Sequence, residues 1–211
     1  MNRIVSLSAL VLLVVGLVMG SASTAVAGSH GGDEGEAHDA AEYTNYDIDP
    51  IHSSVVFRIK HLDVGYVFGM FLEYDGDFVF DPEDPESAEF NFTIQTDSVF
   101  TNVEDRDDHL RSGDFFAAEE YPEITFESTS VTHRDGDTYE VTGDLTMRGH
   151  TEEITMVADE TGHGEGMQGE FRRGFNTTFA VNRMDFGVDF MPDGLGETVR
   201  VMLSVQGVGA E

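Results

Sequence analysis

From residue 43 onward, apolar and polar residues follow one another with a period of two. Val55, Phe57 and Ile59 stand between Ser54, Val56 and Arg58, and Phe90, Phe92, Ile94 and Thr96 alternate with Asn91, Thr93 and Gln95. Successive side chains of a strand point to opposite faces, so each such run predicts a β-strand with one buried side. The pattern returns in Ile124 to His133, in Thr138 to Met147, in Glu152 to Ala158, in Phe171 to Val181 and in Val199 to Val208. Turn chemistry separates the runs. Asp75-Gly76, inside the β-rich stretch Phe68 to Phe80, predicts a hairpin. Arg134 to Asp137 and Arg148-Gly149-His150 predict tight turns, and Gly162 to Gly169 predicts a glycine-rich loop. Roughly eight short strands with short connections predict an all-β sandwich or up-and-down barrel.

One block departs from this period. Arg106 to Phe116 reads RDDHLRSGDFF, a cluster of charges followed by two phenylalanines. Thr101 and Glu104 have the spacing of a capping box. Glu104 and Asp105 fall in a first turn, where the helix dipole favours acids. Asp107 and Arg111 are four apart with the acid first, the better order for a helical ion pair. Gly113 supplies a stop. The spacing predicts a short helix over 102–112 with Phe115 and Phe116 as an apolar clamp behind it.

The N-terminus changes the picture of where the folded part begins. Arg3 precedes an almost wholly apolar run from Ile4 to Met19, and small residues lead to an A-x-A site at Ala27. This predicts a secretory signal peptide over 1–27, since the run is shorter than the roughly 20 residues of a membrane span. Residues 28–42 are Gly, Ala, His and acid without hydrophobic period, which predicts a disordered tether. Residues 43–211 then form one domain. The chain has no cysteine, so packing alone must hold it in an export compartment. Asp and Glu number 41 against 11 Lys and Arg, a net charge of -30, and Lys60 is the single lysine. Two readings fit: an acidic surface adapted to high salt, which the spread of acids favours, or a polyanionic face for basic partners. Nucleic acid is excluded as a partner, because phosphate binding needs a basic footprint.

Five ordered stretches resemble the YceI-like family. They are DIDPIHSSVVFRIKHL (Asp47 to Leu62), FGMF (Phe68 to Phe71), RDDHLRSGDFFAAEEYPEITFES (Arg106 to Ser128), GDLTMRGHTEEITM (Gly143 to Met156) and NRMDFGV (Asn182 to Val188). The resemblance implies an eight-stranded antiparallel lipocalin-like barrel with a short helix at one end. It also implies an exported bacterial protein that holds a long polyisoprenoid, an isoprenoid quinone or a prenyl pyrophosphate, inside the barrel. By the same analogy a homodimer is plausible. The acidic load and the tether depart from the family's pattern, and an anionic field disfavours a pyrophosphate head.

A linear apolar ligand gains about 0.8 kcal/mol per buried CH₂, so a prenyl tail needs only an apolar tunnel. The candidate lining residues are Phe57, Ile59, Phe68, Phe71, Phe78, Phe80, Phe92, Ile94, Phe115, Phe126, Tyr139, Val141, Phe179 and Leu203. Period two alone does not separate lining from ordinary core. For a polar head, His109, Arg111, Arg58 and Arg183 are candidates, since a quinone carbonyl or a phosphate accepts from such donors. The competing role for His109 and Arg111 is structural, fixing the helix to the barrel. His52 and His61 flank the first barrel strand and need no role beyond satisfied strand-end polar groups. No metal site and no cofactor beyond the bound lipid are expected. The chain contains no G-x-S-x-G elbow, no H-E-x-x-H helix and no thiol, so the reading is a binding protein and not an enzyme. The alternative is an exported hydrolase using His109 near the barrel mouth.

Overall fold

The computed structural model describes residues 44–210. The proposed signal peptide and tether lie outside the described residues. Eleven strands run in the order β1 (Asn45–Ile48), β2 (Ser54–His61), β3 (Gly65–Phe71), β4 (Tyr74–Val79), β5 (Glu89–Gln95), β6 (Val99–Phe100), β7 (Glu123–His133), β8 (Thr138–Met147), β9 (His150–Glu165), β10 (Phe171–Asn182) and β11 (Leu195–Gly209). One α-helix, α1 (Glu104–Arg111), lies between β6 and β7. All neighbouring strands are antiparallel.

The sheet closes on itself as an eight-stranded barrel. β1 and β2 both pair with β11, β1 at Gly207 to Gly209 and β2 at Leu195 to Ser204, so together they form one interrupted barrel strand. β3 and β4 form a second, pairing with β2 and β1 respectively. β5, β7, β8, β9, β10 and β11 complete the ring. At the end carrying β1 and β4 the hydrogen-bonded circuit is unbroken. At the other end β4 and β5 have given out, and β3 is paired on its far side only by the two residues of β6. That interrupted end is the mouth, and α1 lies beside it.

Most of the period-two runs became strands, and two turn signals did not become turns. Asp75-Gly76 lies inside β4, opposite Thr93 and Phe92 of β5. Gly76 is extended (φ 158°), and a Cβ there would sit 2.2 Å from the Asn91 carbonyl oxygen, so this glycine serves a close strand approach. Gly162 and Gly164 likewise sit within β9, which continues to Glu165 before turning. The helix is shorter than expected, and its cap is different. Val103 is the N-cap and no side chain caps the helix. Asp107 is buried and accepts from Thr101 N at 2.8 Å and from the Thr101 hydroxyl, while Arg111 pairs with Asp108 at 2.9 Å instead of Asp107. A buried carboxylate is stabilised by converging donors, and Thr101 reaches Asp107 only because Asn102 turns the chain with φ 63°.

The interior divides in two. Around the closed end Tyr46, Phe78, Phe80, Tyr139, Phe171 and Phe175 pack ring against ring, with Tyr46 stacked on Phe78 at 4.7 Å and Phe80 edge-on to Tyr139 and Phe175 at 5.2 Å. Around the mouth Val55, Phe57, Phe71, Val99, Ile124, Leu145, Met147, Val181 and Phe186 form a second cluster. Here the walls do not meet.

Candidate functional site: an apolar tunnel under a helical plug

Alternation turns the inward residues of every strand toward one axis. In β2 these are Val55, Phe57, Ile59 and His61; in β3, Val67, Gly69 and Phe71. A Cβ on Gly69 would lie 2.3 Å from the Phe57 ring, so the glycine leaves the place that ring occupies. The mouth half encloses a cavity of about 500 Å³, within the range of ligand pockets. A smaller one of about 100 Å³ continues toward the closed end. Val55, Ile94, Leu145, Phe179 and Val201 wall both, so the two stack end to end along the axis. The large cavity is carbon-lined except for His61, Thr101, Arg106, His109 and Arg183, which gather toward the mouth.

The plug is tied down by arginines bonded to backbone carbonyls. Arg111 donates Nε to Asp97 O at 2.6 Å and Nη2 to Val99 O at 3.1 Å. Arg106 donates Nε to the Thr101 hydroxyl at 2.6 Å and Nη2 to Thr101 O at 2.8 Å. Arg148 donates to Phe115 O. Behind α1, Phe116 meets Phe71 edge-on at 5.6 Å. His109, Phe115 and Phe190 form a ring cluster with centroids 5.0 to 5.2 Å apart. Phe190 belongs to the loop before β11, so this cluster joins the plug to the opposite side of the mouth.

The expected lining residues divide by position. Phe57, Ile59, Phe71 and Phe115 wall the large cavity; Phe78, Phe92, Phe126, Val141 and Leu203 wall the small one; Ile94 and Phe179 wall both. Phe80 and Tyr139 are buried in the ring-packed closed end and line neither of the two cavities. Phe68 is on the outside, 53% exposed. It is three residues from Phe71, and positions of opposite parity on one strand cannot share a face.

The polar candidates separate as well. Arg58 projects outward from β2 and stacks over Tyr66 at 4.6 Å, so it cannot reach the interior. Arg111 is consumed by the contacts that hold α1. Arg183 does wall the cavity but is 2% exposed and donates to Gly196 O at 3.0 Å, Leu195 O at 3.2 Å and Val188 O. Burial pushes its guanidinium below the ordinary arginine value, against the opposing charges of Asp189 and Glu197. His109 walls the cavity and bonds Asp114 through Nε2 at 2.9 Å, and no hydroxyl is hydrogen-bonded to its ring among the described residues.

Arg106 and His61 wall the mouth although neither was a candidate there. Parity would have found His61, two residues beyond Ile59. Val188, Phe190 and Met191 also wall it, from a loop whose sequence carries no period. Among the described residues no group of His, Cys, Asp or Glu is arranged to hold a metal, and no helix is long and apolar enough to cross a membrane.

The YceI-like domain model matches residues 46–207. Protein YceI of Escherichia coli O157:H7 is 40% identical over 169 residues, covering 80% of this chain and 87% of that protein. Among solved structures, BcnA of Burkholderia cenocepacia superposes with a TM-score of 0.70 at 24% identity, covering 76% of this chain and 99% of that one. A polyisoprenoid binding domain from Saccharophagus degradans, implicated in plant cell wall breakdown, has a TM-score of 0.62 at 14% identity, with 78% and 98% covered. At these identities the two structures speak to the fold.

Proposed function

Because the chain belongs to the YceI-like family, we propose that it is an exported lipid-binding protein holding a long-chain polyisoprenoid, of the isoprenoid quinone or prenyl pyrophosphate type, in the barrel. The observation that carries this reading is the carbon-walled cavity of about 500 Å³ with its about 100 Å³ extension, polar only at the mouth. That gradient suits an amphiphile lying tail first. Each buried CH₂ contributes about 0.8 kcal/mol, so the tail supplies the affinity. The head then sits among His61, Arg106 and His109, where Arg106 Nη1 has no hydrogen-bond partner among the described residues. The polyisoprenoid binding domain of the Saccharophagus structure supports the ligand class through a shared fold. The N-terminal apolar run and A-x-A site support export to the periplasm or the medium, and the acid load supports a saline setting. The role is transport, storage or stress protection of the lipid.

Mass spectrometry of an organic extract of the protein from its native host tests this. A stoichiometric lipid with a prenyl tail is expected, and Val201→Phe, which fills the junction of the two cavities, is expected to lower its occupancy at least tenfold. Extracts without any prenyl lipid, or unchanged occupancy in a folded V201F, would refute the reading.

A further inference from the structure

The outside of the barrel is not uniformly acidic. On β7, β8 and β9 the outward residues Glu127, Asp144 and Glu153 stand in one cross-strand row, all exposed. On the four adjacent strands β10, β11, β2 and β3 the pattern stops. Glu197, exposed at the start of β11, is the one acid in these four strands, and the outward positions from Asn176 to Asn182, Thr198 to Ser204, Ser54 to Lys60 and Tyr66 to Met70 contain no Asp or Glu, in a chain with 41. Bases take their place. Arg58 and Arg200 are direct cross-strand partners. Like charges opposed in this way destabilise a sheet, and neither has a carboxylate partner among the described residues. Arg58 Nε is buried without any hydrogen-bond partner. Lys60 lies two residues along, paired only with the hairpin-tip Asp63.

The same face carries exposed apolar and aromatic side chains. Phe68 is 53% and Tyr66 55% exposed, and at the β2–β3 tip Leu62 is 54% and Val64 90% exposed. Bases with long stems beside aromatics and a projecting aliphatic tip form the chemistry of an interfacial anchor, with ammonium and guanidinium groups at phosphate level and apolar groups below it. The tip is also continuous with the mouth, since His61 and Val67, at the two ends of the hairpin, wall the cavity.

We propose that the outer face of β2, β3 and β11 is a docking surface for a membrane containing anionic phospholipid, and that it sets the tunnel mouth against the bilayer. Its purpose, cargo exchange, rests on the isoprenoid reading; its evidence does not. A membrane is favoured over a second copy of the chain because two such faces would bring arginines against arginines. The acidic β7–β9 face of a second copy offers carboxylates, but of the exposed large hydrophobic side chains only Val157 stands on it to receive Leu62 and Val64.

The test is sedimentation of the chain, as its expression host exports it, with vesicles that contain no isoprenoid. Vesicles of equal parts phosphatidylglycerol and phosphatidylcholine are compared with phosphatidylcholine alone. Preferential binding to the anionic vesicles is expected, weakening as salt screens the charges. Each surface base contributes about fivefold, so Arg58→Gln with Arg200→Gln is expected to lose about 20- to 30-fold. Leu62→Ser with Val64→Ser, at exposed positions that leave the fold intact, is expected to weaken binding to both vesicle types. Equal binding to both, no binding, or an unaffected arginine double variant would overturn the proposal. So would a doubled mass in light scattering that the double variant abolishes without vesicle binding, which would assign the face to a second copy. Because the vesicles lack isoprenoid, none of these outcomes depends on the cargo.

Discussion

Each end of the barrel buries an arginine, and the two are neutralised by different means. Arg173, at the closed end, is 1% exposed and donates Nη1 to the buried Glu160 at 2.7 Å and Nε to the Tyr46 hydroxyl at 3.2 Å. Its guanidinium lies over the Phe80 ring at 4.7 Å. Arg183, at the mouth, is 2% exposed and hydrogen-bonds only to backbone carbonyls, with the charges of Asp189 and Glu197 acting on it from outside those bonds. The closed end therefore places a full ion pair and a set of rings in the space the barrel encloses, and no large cavity is left there. The mouth uses its arginine to fix the chain between β10 and β11 along the wall, and the centre stays empty. Whether an eight-stranded barrel is a packed core or a container is decided by which side chains point inward, and this barrel is one at each end.

The largest expected effect breaks that contrast directly. Arg173→Ala leaves the Glu160 carboxylate with His163 Nδ1, 2.7 Å away, in place of its buried guanidinium partner, and is expected to cost up to about 3–5 kcal/mol in urea unfolding. Arg183→Ala strands carbonyls only and is expected to cost about 1–3 kcal/mol. Equal losses would show that the two arginines are held in the same way. Replacing the pair together, Arg173→Met with Glu160→Gln, is expected to recover most of the first loss.

A smaller effect concerns pH at the closed end. Asp49 accepts from Arg172 Nη1 at 2.7 Å, from Ile51 N at 2.9 Å, and meets His52 Nδ1 at 2.7 Å. Burial pushes its carboxyl up, but these donors, Arg172 foremost, outweigh burial and hold it down to about 2 from an ordinary 3.8. The folded value lies below the unfolded one, so the contribution is complete above about pH 4 and disappears as pH falls toward 2. Its size is about 2 kcal/mol. Thermal melts from pH 5 to 2 should show an acid limb that is shallower in Asp49→Asn. An unchanged limb would mean that Arg172 stabilises no charge there.

The smallest effect is expected outside the mouth. Phe68→Ala removes an outward ring and should alter stability by no more than about 0.5 kcal/mol, with lipid occupancy unchanged. A large loss of occupancy would place Phe68 on the tunnel after all.

Much of the barrel was legible in the chain because strand parity is a local property. Phe57, Ile59, Phe92, Ile94, Phe126, Val141, Phe179 and Leu203 were expected to face inward, and they wall the cavities. Parity also would have removed Phe68 in favour of Val67, had the two phenylalanines of FGMF been counted against each other. Parity does not tell filled from empty. Phe80 and Tyr139 face inward like the lining residues, yet they meet Phe175 and one another near the closed end, where the walls touch. The charged block was legible as a helix and not in its bonds. Asp107 and Arg111 have good ion-pair spacing, but Thr101 and the carbonyls of Asp97 and Val99, at and just before the start of β6, compete for them and prevail.

The chain's own pattern determined an antiparallel all-β domain, the faces of its strands, a short helix between two of them and the large acidic excess. These depend on residues within a few positions of one another. Tertiary structure alone decided that the barrel is filled at one end and hollow at the other. It also decided that Arg58 and Arg200, 142 positions apart, stand side by side on a face where acids are few. Closure joins β1 and β2 to β11 from the far end of the chain, and no local period carries that information.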